Sequence, residues 1–162
     1  MGKGGIILGI IGLILGASGL GFGVVNFMNQ PTNYYSYYDL EFYPSPALEY
    51  RAITNIAILF AVGNPVSLHL LFTCSARCYG DAVSFSDLHF YFMINGVLQT
   101  DMPWARTGSF QSSTDSEYTT VSLQHYFTVT VPGIYNITVV VLTERAGNFI
   151  RQSSLWIQST PA

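Results

Sequence analysis

The chain has 162 residues, of which only 9% are charged and 15% are aromatic, and its formal net charge is −3. With no basic cluster to neutralise phosphates, a nucleic-acid partner is excluded. A skin so poor in charge is made of Tyr, Ser, Thr, Asn and Gln, which suits contact with neighbours better than free solution.

Residues 5–28 carry no charged side chain. At about 1.5 Å per residue they reach roughly 36 Å as a helix, enough to cross a bilayer. Three GxxxG pairs lie along this run, Gly5 with Gly9, Gly12 with Gly16, and Gly19 with Gly23, each seven residues after the last. Glycine weakens a helix in water, so a phased stripe of it predicts close backbone approach between helices. The small residues at 17–19 would also suit signal-peptide cleavage, but the apolar run continues to residue 25, so an uncleaved anchor is the expectation. Lys3 precedes the run and the first charges after it are Asp39 and Glu41, which places the N-terminus inside and the rest outside. The expected partners are the membrane, through residues 5–28, and further copies of the chain.

Residues 29–50 follow, with three prolines and seven aromatic residues. The prolines exclude a regular helix, so the segment reads as an extended stalk whose tyrosines need a surface to cover or an edge to pair with. Beyond it, residues 51–162 form one domain with a period of two. Leu68, Leu70, Phe72 and Cys74 share one face, as do Leu88, Phe90, Phe92 and Ile94, then Val121, Leu123, His125, Phe127 and Val129. Asn95-Gly96 is a strong hairpin signal, because both residues tolerate positive φ. A last hairpin is expected between residues 135–143 and 149–158, turning at 145–148. With a strand in 53–60 this makes seven or eight strands. The fold class is all-β, a two-sheet antiparallel sandwich preceded by one apolar transmembrane-type helix. Residues 101–117, polar and centred on Trp104, read as a long exposed loop.

Residues 122–158 (SLQHYFTVTVPGIYNITVVVLTERAGNFIRQSSLWIQ) resemble the closing strands of jelly-roll domains similar to C1q and tumour necrosis factor, especially those of phage tails. The spacing is similar also to an immunoglobulin-type domain, in which Tyr135 would be a tyrosine corner. The layout of apolar helix, then sandwich, resembles archaeal pilins and archaellins, with Lys3-Gly4 similar to their processing site. These resemblances imply a sandwich and a filament or membrane context, and no activity.

The sequence offers little chemistry. His69, His89 and His125 fall in separate strands without metal-ligand spacing, and no nucleophile, calcium run or phosphate loop is present. The chain is therefore read as no enzyme, with no catalytic residue, metal or cofactor. Cys74 and Cys78 are the only cysteines, and outside the cell they are expected as a disulfide, with buried free thiols as the alternative. Asn136-Ile137-Thr138 is a glycosylation sequon. Two functions follow. One is a surface structural protein that self-assembles through its helix, as a membrane-anchored oligomer or an extracellular filament. The other is an anchored adhesin or receptor that shows Trp104 and Arg106 to a surface protein or glycan.

Overall fold

Alternating burial builds the strands. In β4 (Val66–Arg77) the side chains of Leu68, Leu70, Phe72, Cys74 and Ala76 are buried and the residues between them are not. A two-residue period of this kind needs an apolar layer on one side only, which a second sheet supplies. The computed structural model describes residues 31–45, 47–53, 55–79, 85–109 and 118–162. The apolar run 5–28, with the helix-packing stripe expected of Gly5, Gly9, Gly12, Gly16, Gly19 and Gly23, lies outside the described residues. Among the described residues no helix is long and apolar enough to cross a membrane.

The other strands are β1 (Thr32–Tyr38), β2 (Arg51–Ala52), β3 (Ile58–Val62), β5 (Ser86–Ile94), β6 (Val97–Leu98), β7 (Ala105–Ser109), β8 (Thr119–Val129), β9 (Gly133–Thr143) and β10 (Phe149–Pro161). The first sheet has the order β1-β10-β4-β8. The second has β9 and β5 at its centre, with β2 and β3 pairing β9 and with β6 and β7 pairing β5. Every ladder is antiparallel. Without the two-residue strands the pairs are nested: β5 with β7, β4 with β8, β3 with β9, β1 with β10. One long antiparallel ribbon wrapped round a core has this pairing, and that is the order of a jelly roll.

Between the sheets lie Phe72, Phe90, Phe92, Leu70, Leu88, Ile137, Leu155 and Ile157, all fully buried. The Phe72 and Phe90 rings, one from each sheet, meet at 5.8 Å between centroids. Each such side chain contributes roughly 1.5–3 kcal/mol through removal from water.

The nested order corrects three expectations. Residues 135–143 and 149–158 form no hairpin, because β9 belongs to the second sheet and β10 to the first. The link at 145–148 is instead an arch over the sandwich end. The segment 29–50 is no stalk either: β1 pairs with β10 along all seven of its residues, and Phe42 bridges Ile150. The tyrosines found an edge to pair with. Third, residues 101–117 are not one exposed loop, since β7 forms within them and pairs with β5. The Asn95-Gly96 turn is as expected, with φ of 50° and 78°. So is the corner at Tyr135, whose hydroxyl donates to the Val131 carbonyl at 2.9 Å where the chain passes between sheets. The corner geometry thus occurs outside the immunoglobulin topology that suggested it.

Candidate functional site

The second sheet carries a buried charge on its outer side. Along β5 the core takes Leu88, Phe90 and Phe92, so Asp87, His89 and Tyr91 project from the opposite face. Asp87 is nevertheless fully buried. Its Oδ2 accepts from His89 Nε2 at 2.7 Å and from Arg106 Nε and Nη2 at 2.6 Å each. Strand β7 makes this possible by pairing Arg106 directly opposite His89. A carboxylate taken out of water needs such donors, because an unpaired buried charge costs several kcal/mol.

Aromatic rings roof the cluster. The Trp104 ring lies nearly parallel to His89 at 5.2 Å and reaches Tyr91 at 6.0 Å, while Tyr50 meets Tyr91 edge-on. Burial pushes the Tyr91 phenol above its ordinary value. On the other side the Arg106 guanidinium lies over the Phe85 ring at 5.0 Å. Gly108 is required there, since a Cβ would run into that ring and into the Ser86 carbonyl. Below the cluster, Asn148 is a fully satisfied buried amide. Its oxygen accepts from the Tyr79 amide and the Ser86 hydroxyl, and its nitrogen donates to the Asp87 carbonyl and to Thr143 Oγ1. One side chain in the arch thereby ties the ends of β4, β5 and β9 together.

Arg106, expected to face a partner, is therefore committed to Asp87, and Trp104 is a half-exposed roof over it, not the tip of a loop. The sequence does not single out Asp87 and His89 as a pair. Their i, i+2 spacing on a strand was the available signal, but the cation that pairs with them lies 19 residues further on. Among the described residues no three His, Cys, Asp or Glu side chains gather into a cation cage. Asn136 is exposed on β9. His125 is half-buried and stacks on Phe127, in the inward row of β8.

The expected disulfide is absent, and Cys74 and Cys78 are buried free thiols. The reason is geometric. β4 stays extended to Arg77, so four residues span about 13 Å, against the 7 Å or so that a disulfide allows between Cα atoms. Burial pushes Cys74 well above the ordinary thiol value, and burial, with the nearby Asp87 charge, raises Cys78 to about 12. The folded chain thus favours the protonated thiols, so this stability is present below pH 9 and is lost as pH rises toward 12. Between those limits Cys78 should contribute a decline of about 1.4 kcal/mol per pH unit. Urea unfolding of Cys78→Ala is expected to show a slope against pH shallower by that amount; equal slopes would mean an ordinary thiol.

The first sheet has a different outer face. Tyr35 lies beside Trp156, Trp156 beside Leu71, and His69 beside Tyr126. The His69 ring stacks on Tyr126 at 3.9 Å with planes 9° apart and meets the edge of Trp156 at 5.4 Å. Tyr35, Tyr37 and Tyr126 are half or more exposed; no charged side chain stands among Tyr35, Trp156, His69 and Tyr126, while the Tyr37 hydroxyl at the margin donates to Asp39 Oδ1 at 2.9 Å.

No family model matches the chain, and no curated protein matches it. Among solved structures, the VP2 subviral particle of infectious bursal disease virus is similar at 14% identity and a TM-score of 0.47, over 80% of this chain. The structure of the Gx strain of the same virus is similar at 13% identity and a TM-score of 0.49, also over 80%. This chain spans about a third of the length of those chains, 33% and 32%.

Proposed function

We propose that the protein is a non-enzymatic surface structural subunit that self-assembles through the glycine-striped helix of residues 5–28 and displays its sandwich outside the cell. The assembly is a membrane-anchored oligomer or an extracellular filament. The observation that carries this reading is the aromatic face of Tyr35, Tyr126, Trp156 and His69, which has Asp39 only at its margin, beside Tyr37. Rings left in water gain by covering one another, and the charge at the margin of the face does not stand between them. Asn136, exposed and within a sequon, is the position for a glycan on such a surface.

The helix is tested by Gly12→Leu with Gly16→Leu in the full chain. Two leucines hold neighbouring helices apart, so sedimentation and negative-stain images should show a lower oligomer order, while Ile11→Leu changes little. The same order in both variants would remove helix packing from the proposal.

A second reading, an adhesin-type binding module, is favoured by one feature, the Trp104 ring, which is 48% exposed above its stack on His89 and Tyr91. A flat indole backed by other rings is suited to a sugar or an apolar side chain. Arg106 plays no part in it.

A further inference from the structure

Four groups of strands end the two sheets, and three of them are shorter than the fourth. In the second sheet the edges are β2 and β3, of two and five residues, and β6 and β7, of two and five. Short edges offer few free amides and carbonyls. In the first sheet, β1 has seven residues, and its inward side chains pack toward the second sheet: the Ser36 hydroxyl donates to the Asn55 carbonyl at 3.0 Å, and the Tyr34 ring packs on Phe60 at 4.9 Å. The fourth edge, β8, is eleven residues long. It pairs with β4 in unbroken register from Thr119 to Val129, and among the described residues no strand pairs with its other side.

Natural edges of this length are blunted by lysine, proline, a bulge or an inward charge. β8, with the sequence TTVSLQHYFTV, has none of these. Its inward row is also incompletely covered: Val121, Leu123 and Val129 are buried, but His125 and Phe127 are only half-buried. Among the described residues, then, no strand takes the free hydrogen-bonding edge of β8, although β7 comes near it, and part of its apolar row is left uncovered.

We infer that β8 pairs antiparallel with β8 of a second copy, about a two-fold axis at Gln124, joining two four-stranded sheets into one of eight. This rests on the self-assembly reading and names its contact. An extended backbone edge is satisfied by another strand, and a second copy of β8 is favoured because it brings an uncharged strand with an apolar inward row against the same row here. Gln124 is the midpoint of the strand, so only this register pairs all eleven residues. It sets Phe127 beside Val121 and His125 beside Leu123 of the other copy on the inner side, and Tyr126 beside Ser122 on the outer. No charge meets a like charge anywhere along it, and the symmetric contact closes as a dimer.

The axis makes residue 124 its own neighbour, which supplies the test. Gln124 is exposed, so Gln124→Lys and Gln124→Glu leave the fold intact, as a melting curve verifies. In the full chain in detergent, each variant alone sets like charges face to face, and the concentration at half-dissociation is expected to rise about fivefold or more. An equal mixture of the two pairs Lys with Glu and should return to the wild-type value. Gln124→Cys should also cross-link between copies under a mild oxidant, whereas Leu59→Cys, exposed on β3, should not. A wild type that associates, with both charge variants unchanged and no cross-link at position 124, overturns the β8 contact and leaves self-assembly standing. A wild type that stays monomeric overturns both.

Discussion

Phe90→Ala is expected to lower the unfolding free energy by about 3–5 kcal/mol, whereas Phe127→Ala should cost only about 1–2. The two phenylalanines are alike in the sequence, each in a period-two run. Phe90 is fully buried in the central strand β5, against Phe72 of the facing sheet. Removing its ring leaves a cavity that neighbours on both sides are too constrained to fill. Phe127 is half-buried on the edge strand β8, where water and a shifted His125 can take the vacated space. A domain of this size is stable by 5–15 kcal/mol or so, and the Phe90 variant would lose much of that margin. Urea titration followed by circular dichroism measures both; equal costs would mean that β8 is as enclosed as β5.

Arg106→Ala should lower stability by about 2–3 kcal/mol. The cost is less than that of breaking a wholly buried pair, because the guanidinium is 46% exposed while Asp87 is not exposed at all. The loss arises less from the missing attraction than from the carboxylate left behind with one donor, His89, in a site that water does not reach. Asp87→Asn added to Arg106→Ala removes the stranded charge and is expected to recover half or more of the loss. Failure of the second change to recover anything would mean that Arg106 acts through its packing on Phe85.

How much of this was legible in the sequence depended on the distance over which each residue finds its partner. The inward rows of β4, β5 and β8 could be read directly, because a strand turns alternate side chains to opposite faces whatever lies beyond. The Asn95-Gly96 turn and the Tyr135 corner were readable too, as each is completed within a few residues. Strand β7 was not. Its sequence, ARTGS, has no apolar alternation, and what makes it a strand is the free edge of β5 beside it. The cluster at Asp87 was hidden for the same reason, since a carboxylate in a run such as SDLH is ordinarily solvated, and only the arrival of Arg106 on β7, with Trp104 just before it, buries it. For Cys74 and Cys78 proximity in sequence misled: four residues apart in an extended strand are further apart than four residues in a turn.

A β-sandwich, the residues that face inward and the places where the chain must turn all follow from the order of the residues, because they depend on the geometry of single strands and tight turns. That β9 and β10 part to different sheets, that the tyrosines of β1 belong to the sandwich, and that Asp87 is a buried charge emerge only in the folded chain. Backbone hydrogen bonds are alike for every strand, so the identity of a strand's neighbour is set by which apolar faces can close one core together, a property of the whole chain.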